Sequence, residues 1–358
     1  MMTKVMTASS EAIRQLLQRK SLQGVIVVEE ASVNWLFQGH YHIGVATSLA
    51  CVEVLVTLDR IEVLVNSIEA ERLLFEQNLK ADQVIIYPWY DETIRKDTLE
   101  RWRKQPGVFD ESAMKEDLAS LRYVFTEDRQ DQAIDLGRDA SEAMEEVCFQ
   151  VVSNHTESEV AGRLAEACLQ RGMEPIVNLV ASARRAGLYR HFTPTHEKLG
   201  DYAIVSVGAR RQGMIVSMTR MVFFDRVSTK FRQRYEAVLH VHAALLRHSR
   251  PGQTLGQAFQ AGVKAYEDAG FAREWMQHHQ GGLAGYLPRE LKATQDTALA
   301  LQEHMMVSWN PTIQGVKAED TYLLLADHQL SLTKPLNWPM IKIEDQEEVF
   351  EFPDLLLV

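Results

Sequence analysis

Polar side chains that could take part in chemistry lie in four separated segments of the chain. In chain order they are His191; Ser206, Ser217, Thr219 and Arg220; His278, His279, Tyr286, Arg289 and Glu290; and Asn310, Glu319 and Asp320. A histidine can transfer a proton near neutral pH, and carboxylates and imidazoles can bind metal ions. Polar residues inside apolar, strand-like runs indicate either a functional site or local hydrogen bonding to the backbone. For Ser206 and Ser217 both interpretations stay open.

Motifs for several other kinds of site are missing from the sequence. There is no zinc-binding helix pattern, no phosphate-binding P-loop and no dinucleotide fingerprint. The glycine-rich run 281–285 lacks the G-x-G-x-x-G spacing, so it does not indicate a phosphate site. Glu319 and Asp320, with histidines elsewhere, form a sparse set of ligands for a metal centre. We therefore expect no cofactor.

The composition is typical of a globular protein of about two domains. The chain has 358 residues and a net charge of −11, and its basic residues are dispersed, which argues against a nucleic-acid partner. No apolar run reaches membrane-spanning length, and the N-terminal residues lack a signal-peptide pattern. The three cysteines show no paired spacing. We expect a cytoplasmic protein that binds a small-molecule substrate and has no membrane or nucleic-acid partner.

Helix and strand patterns alternate over the first third of the chain. This alternation favours an α/β domain with a mixed sheet. The pattern changes in the charged stretch that follows Thr126. We therefore predict two domains, 1–125 and 126–358.

The second domain begins with local signals for helices and a hairpin. A long helix is predicted over 132–154, and Thr156 followed by Glu159 has the pattern of a capping box. Further on, two strands are predicted on either side of a short turn. Gly208 and Gly213 bracket that turn and are interpreted as turn residues.

The order of these segments resembles the creatinase, aminopeptidase P and prolidase family. The run 34–39 is similar to the N-x-x-Y-L-T-G turn of the family's N-terminal domain, and all four polar segments follow in the family's order. The resemblance covers nearly the whole chain. It implies an α/β N-terminal domain and an α+β C-terminal domain of the pita-bread fold, which has a strongly curved antiparallel sheet.

The resemblance also locates the positions at which the family's metal enzymes bind two divalent ions. Both metal-binding aspartates of the family correspond to serines here, Ser206 and Ser217. Gly282 stands in place of the metal-binding histidine, and Asn310 in place of one glutamate, whereas Glu319 matches the other glutamate. One carboxylate is a poor ligand set for two divalent ions. We therefore expect no metal.

Other positions resemble those of creatinase, a family member that works without metal. His191 matches the histidine that creatinase uses for proton transfer, but Thr219 stands where creatinase has a further carboxylate. We hypothesise that the catalytic residues are His191, as the general acid or base, together with His279 and Glu319. Glu319 would position a cationic or amide group, and His279 or Arg220 would stabilise developing negative charge on the substrate. The hypothesised substrate-binding residues are Trp35, Ser206, Ser217, Arg220, His278, Tyr286, Arg289, Glu290 and Asn310. Of the two neighbouring histidines, we expect His279 to point into the cleft, because it adjoins the glycine turn. His278 fits the spacing of the family's substrate-binding histidine better.

Several alternatives stay open at the level of sequence. Glu319 could be a structural acid paired with Arg220, and Trp35 and Tyr286 could serve packing alone. The first functional hypothesis is a metal-independent hydrolase of a C–N bond in a small amide, amidino or dipeptide-like compound. The second is a binding or scaffold protein that has lost catalysis, and the third is an Xaa-Pro peptidase. The resemblance further implies a homodimer, with Trp35 or the loop 39–44 near the partner's site.

Overall fold

The computed structural model describes residues 7–77 and 79–358. It divides into a unit that ends at Arg122 and a second unit, Tyr123–Val358. The first unit contains helix α1 (Ala8–Arg19), strand β1 (Gly24–Glu29), α2 (Glu30–Phe37), β2 (Leu49–Thr57), β3 (Ile61–Asn66), α3 (Ala70–Phe75), β4 (Gln83–Tyr87), α4 (Thr93–Arg103), β5 (Val108–Asp110) and α5 (Lys115–Ser120).

The first unit is built on one mixed sheet, with strand order β4-β3-β2-β1-β5. The pairs β1–β2 and β2–β3 are antiparallel, whereas β1–β5 and β3–β4 are parallel. The central strands are rich in valine, isoleucine and leucine, which suit strands covered on both faces. The predicted α/β domain with a mixed sheet is confirmed.

The second unit contains longer helices and two larger sheets. Its elements are α6 (Glu127–Cys148), α7 (Glu157–Gln170), β6 (Glu174–Ser182), α8 (Ala183–Ala186), β7 (Tyr202–Arg211), β8 (Met214–Phe223), α9 (Thr229–Arg247), α10 (Leu255–Asp268), β9 (Gly281–Ala284), β10 (Leu291–Lys292), β11 (Met306–Trp309), β12 (Thr312–Ile313), β13 (Val316–Lys317), β14 (Asp320–Leu324), β15 (Gln329–Ser331), β16 (Met340–Asp345), β17 (Glu348–Pro353) and β18 (Leu356–Leu357). None of the helices described in either unit has the length and apolar character needed to cross a membrane.

A backbone bridge between the two sheets of the second unit positions the candidate site. One sheet has strand order β18-β8-β7-β6 and the other β10-β9-β11-β14-β15. Thr219 of β8 forms an antiparallel bridge with Glu319, which directly precedes β14. Its backbone N–H donates to the carbonyl oxygen of Glu319 at 3.0 Å. The side chains of both residues are thereby held at the junction of the sheets.

The helix signals near residue 150 are confirmed in part. The Thr156 hydroxyl accepts from the N–H of Glu159 at 3.2 Å, and the Glu159 carboxylate accepts from the N–H of Thr156 at 2.7 Å, so the capping box is present. The preceding helix, predicted over 132–154, instead spans Glu127–Cys148. Its first turn carries acidic residues, which favour a helix N-terminus, so the charged stretch after Thr126 begins the helix.

Strand β7 of the hairpin β7–β8 extends into the predicted turn between Gly208 and Gly213. Gly208 lies inside β7 opposite Ser217, so its interpretation as a turn residue is wrong. A Cβ at Gly208 would lie 3.1 Å from the Cβ of Val177 on the neighbouring strand, and this close approach explains the glycine. The turn is formed by Gln212 and Gly213, whose φ angles of 49° and 84° are both positive.

A buried histidine in the core gives the fold a dependence on pH. His242 is fully buried, and neither ring nitrogen has a hydrogen-bond partner among the described residues. Its ring stacks on Phe352, with a centroid distance of 4.8 Å. Burial lowers the pKa of His242 to about 3 from 6.5. The native state therefore holds the neutral ring, while the unfolded chain takes up a proton below pH 6.5.

We expect the free energy of unfolding to decrease as pH falls from 6.5 towards 3, because only the unfolded state gains this proton. His242 alone should contribute about 1.4 kcal/mol per pH unit. The substitution His242→Phe keeps an aromatic ring and removes the titration, so the variant should lose less stability on acidification than the parent protein. Urea unfolding at pH 7, 6, 5 and 4 measures this difference. Equal pH slopes for the two proteins would refute the assignment.

Candidate active site

A cavity of about 310 Å³ lies at the junction of the two sheets of the second unit. Six of the predicted site residues line it: His191, Ser206, Ser217, His279, Arg289 and Asn310, and a seventh, Glu319, lies at its base. Lys292 and Lys317 line it as well. The remaining wall includes apolar side chains such as Val177, Leu179 and Leu287. The cavity is of a size suited to a small organic molecule.

Three buried charged groups form the base of the cavity. The Lys317 ammonium lies 2.6 Å from Oε2 of Glu319, and Nη2 of Arg289 lies 3.2 Å from Oε1. The three side chains are only 6–8% exposed. Burial opposes ionisation of Glu319, but the two cations outweigh burial and lower the pKa of its carboxyl to about 2. The cluster therefore holds two positive charges and one negative charge at neutral pH.

Hydroxyl groups connect this charge cluster to β7. Thr219 donates to Oε2 of Glu319 at 2.7 Å, which uses its only hydroxyl proton. The Ser206 hydroxyl, 2.6 Å from that of Thr219, must therefore be the donor of the pair. The lone pairs of Ser206 remain available to the Lys317 ammonium at 3.5 Å. Ser206 consequently belongs to a hydrogen-bonded chain that ends on Glu319.

The residues at the cavity do not fit the two-metal centre implied by the resemblance. Both carboxylate oxygens of Glu319 are already bound to Lys317, Arg289 and Thr219. Gly282 has a φ of +147°, and a Cβ there would lie 2.2 Å from the carbonyl oxygen of Leu291. A histidine ligand at Gly282 would therefore require β10 to move. Glu319 is the one carboxylate retained among the family's metal-ligand positions. It is contacted by the ammonium group of Lys317, which can only donate hydrogen bonds.

Three histidines form a cluster beside the charged base. Nε2 of His278 lies 2.9 Å from Nε2 of His191, and the rings of His278 and His279 stack at 4.5 Å. Burial is the main cause that lowers the pKa of each ring: below 6.5 for His191, to about 4 for His279 and to about 2 for His278. All three rings are therefore neutral at pH 7.

These three rings also have a spacing that can suit a metal ion, since their ligand nitrogens lie within 4.8 Å of one another. The surrounding charge is unfavourable for a cation. Lys317 contributes to lowering the pKa of each of these histidines, and Arg289 and Lys292 add to this effect at His279. The same repulsion acts on a divalent ion. The histidine cluster is therefore better suited to proton transfer and hydrogen bonding.

Arg220 points away from the cavity, and the alternative that pairs it with the Glu319 carboxylate is wrong, since it reaches only the carbonyl oxygen of Glu319, at 3.4 Å. Its Nη2 donates to Oδ1 of Asp320 at 2.9 Å and to the carbonyl oxygen of Thr333 at 2.6 Å. Successive side chains of a strand point to opposite faces. Because Thr219 and Glu319 face the cavity, their neighbours Arg220 and Asp320 face the other side. Arg220 thus forms a buried structural ion pair.

Three more predicted residues lie outside the cavity lining. The ring of Tyr286 stacks on Phe125 at 6.1 Å, and the Arg129 guanidinium lies 5.7 Å from its centroid. Glu290 accepts from the backbone N–H of Tyr286 at 2.9 Å. His278 is absent from the lining and contacts two residues that belong to it, His191 and His279.

Trp35 belongs to the first unit, where it is buried and its carbonyl oxygen accepts from the Ser9 hydroxyl at 3.0 Å. This environment is consistent with a packing role within that unit. Its part in a binding site stays a prediction. The homodimer, with the loop 39–44 near the partner's site, also stays a prediction.

The sequence hypothesis gave no role to Lys317, although this residue contacts Glu319 directly. A usable signal was present, because Lys317 and Glu319 are two residues apart. In an extended segment that spacing places two side chains on the same face. Lys292 was missed as well, and no motif singled it out.

The fold is shared with solved peptidase structures. The prolidase of Pyrococcus horikoshii superposes with a TM-score of 0.77 at 17% identity, covering 92% of this chain and 99% of that one. The Xaa-Pro dipeptidase of Bacillus anthracis gives 0.76 at 15% identity, covering 98% and 99%. These likenesses confirm the predicted fold class, an α/β domain followed by a pita-bread domain.

Sequence comparison gives a narrower match and the family. YkvY of Bacillus subtilis, a protein named as a candidate dipeptidase, is 27% identical over 143 residues, which span 38% of this chain and 39% of that protein. The pattern that defines metallopeptidase family M24 matches residues 133–347, well over half of the chain. The polar segments of the cavity all fall inside that range. This chain therefore belongs to the metallopeptidase family M24.

Proposed function

We propose that this protein hydrolyses a C–N bond in a small amide or dipeptide-like compound without the two-metal centre. The observation that carries the proposal is one cavity in which His191 and His279 stand beside the charged base formed by Lys317, Arg289 and Glu319. The names of the similar solved structures, a prolidase and an Xaa-Pro dipeptidase, support a dipeptide-like substrate.

His191 is the proton-transfer group in this proposal. Its lowered pKa keeps the ring neutral at pH 7, so one nitrogen can accept a proton. In the tautomer of His191 that acts as a base, Nε2 carries the ring proton and donates a hydrogen bond to Nε2 of His278, 2.9 Å away. Nδ1 is then free to accept. His278 is a positioning residue, because it fixes the orientation of His191 and does not belong to the cavity lining.

His279 supplies a hydrogen-bond donor for negative charge that develops on the substrate. Its pKa of about 4 means that the neutral ring persists across the physiological range, with one N–H to donate. A neutral donor in a site with little water can stabilise an oxyanion strongly. The sequence hypothesis gave this role to His279 or Arg220, and the orientation of Arg220 favours His279.

The reaction in this proposal is an ordinary hydrolysis. His191 takes a proton from a water molecule as the water oxygen attacks the carbonyl carbon, and His279 donates to the resulting oxyanion. The C–N bond then breaks, and the leaving nitrogen receives the proton from His191. Glu319 remains ionised throughout and holds Lys317 and Arg289 in place.

A binding protein without catalysis is the second candidate. It is favoured by the neutral residues at Ser206, Ser217, Gly282 and Asn310, since their pattern removes the metal chemistry implied by the resemblance. A binding protein would retain the cavity and its ligand but give no product. Turnover therefore separates the two candidates.

Metal removal tests the proposed function. We expect a set of dipeptides and N-acyl amino acids to include substrates that are hydrolysed after treatment with EDTA and gel filtration. Adding Mn²⁺, Co²⁺ or Zn²⁺ should change the rate by less than about twofold, because the residues at the cavity cannot bind the two ions of a metal centre. Turnover that appears only after a metal is added would contradict the proposal. Binding without turnover would favour the second candidate.

A further inference from the structure

We propose that the cavity binds the carboxylate group of a small organic ligand between Lys317 and Arg289. This inference rests on the proposed function for the identity of the cavity as the substrate site, but binding can be measured without turnover. It replaces the hypothesis that Glu319 receives a cationic group, since Oε1 and Oε2 of Glu319 already accept hydrogen bonds from the protein.

The charge balance of the buried cluster is the first step of the inference. Lys317 and Arg289 carry two positive charges and Glu319 carries one negative charge, which leaves one positive charge in excess. The adjacent buried pair Arg220–Asp320 is neutral as a whole and offers no compensation. An uncompensated charge away from water is costly, and a bound anion removes that cost. Lys292 also lines the cavity, but it is exposed and its charge is solvated, so it is left out of this balance.

Unpartnered polar atoms at the cavity give the second step. Nε of Arg289 is buried and has no hydrogen-bond partner among the described residues. An arginine nitrogen can only donate, so the missing partner is an acceptor. Oδ1 of Asn310 is likewise buried and unpartnered in the described part of the chain. It can only accept, so it suits an N–H group such as that of an amide.

The size of the excess charge and the nature of the walls favour a carboxylate over phosphate. A carboxylate carries one negative charge, which matches the single excess charge, whereas inorganic phosphate near neutral pH is a mixture of singly and doubly charged forms. Val177, Leu179 and Leu287 present apolar surface beside the charged base. Such walls can pack against the carbon skeleton of an organic acid, whereas an inorganic ion has no apolar surface to place against them.

The test compares N-acyl amino acids with their amides, because each pair differs only in the charged group. The full chain is titrated by calorimetry with N-acetylglycine and N-acetylalanine, with N-acetylglycinamide and N-acetylalaninamide, and with inorganic phosphate, all at one ionic strength. We expect the acids to bind about 10- to 100-fold more tightly than the amides, as for a charged hydrogen bond. Equal affinity within a pair, no binding of either acid, or tighter binding of phosphate would overturn the inference.

Charge variants separate this role from a structural one. Lys317→Met should weaken binding of the acids about 10- to 100-fold, whereas Glu319→Gln raises the excess charge and should preserve or tighten it. Lys230→Met is the matched control and should change binding by less than about threefold, because this exposed lysine does not belong to the cavity lining. Loss of acid binding in both Lys317→Met and Glu319→Gln would indicate a structural role and overturn the inference. Should Lys317→Met fail to fold, Glu319→Gln and the acid–amide pairs still decide.

The same measurements distinguish failure of this inference from failure of the proposed function. If the protein binds the acids more tightly than the amides but hydrolyses none of them, the proposed hydrolase function is rejected and the carboxylate site is supported. If the protein hydrolyses its substrates but binds acids and amides with equal affinity, the hydrolase function is supported and the carboxylate site is rejected.

Discussion

Replacing His191 with glutamine is expected to reduce turnover by about 10²- to 10⁴-fold, the usual contribution of a positioned acid–base group. Glutamine keeps a polar side chain of similar size but cannot take up a proton at neutral pH. Ligand affinity should change little, because the charged groups at the base of the cavity are untouched. Steady-state rates and calorimetric binding on the same preparation measure the two effects separately.

The matched control for this prediction is His196→Gln. His196 is exposed and lies five residues further along the same segment. This variant should retain the parent rate. The rate of the parent protein should also fall on acidification through a pKa below 6.5, because protonated His191 cannot act as a base. An active His191→Gln enzyme, or one that keeps that acidic limb, would remove His191 from the mechanism.

Replacing His279 with leucine should lower turnover by about 10²- to 10³-fold, the range found when a single donor to an oxyanion is removed. Leucine fills a similar volume and offers no hydrogen bond. His279→Gln provides the matched comparison, since its amide N–H can still donate. We expect it to recover a large part of the rate, measured as kcat with saturating substrate.

A different result for this pair would change the assignment. If His279→Leu and His279→Gln lose the same activity while both remain folded, His279 acts through its ring in another way. If His279→Leu keeps full activity, the oxyanion donor lies elsewhere in the cavity.

Features with local sequence signals were predicted well. The capping box at Thr156 and Glu159 depends on residues three apart, and the mixed sheet of the first unit follows from alternating helix and strand patterns. β6 (Glu174–Ser182) was not predicted, because Pro175 and Asn178 interrupt its apolar run. Gly208 was misassigned because its reason, the approach of Val177, comes from a different strand.

The site was predictable only where one residue could be considered by itself. His191 was singled out by its matching position in the family. The partner of Glu319 was not, since the choice between Arg220 and Lys317 depends on which side of a strand faces the cavity. The excess positive charge became apparent only when residues from separate segments were brought together in the fold.

The central claim is that the cavity uses the chain's own cationic side chains at the place where the family's metal enzymes bind two ions. The most direct test is the metal content of the purified protein after incubation with Mn²⁺, Co²⁺ and Zn²⁺ and removal of unbound ions, measured by mass spectrometry of the elements. We predict a ratio of about 0.1 ion per chain or less, because Lys317 and Arg289 occupy the single retained carboxylate. A ratio of about one or two ions per chain would contradict the account.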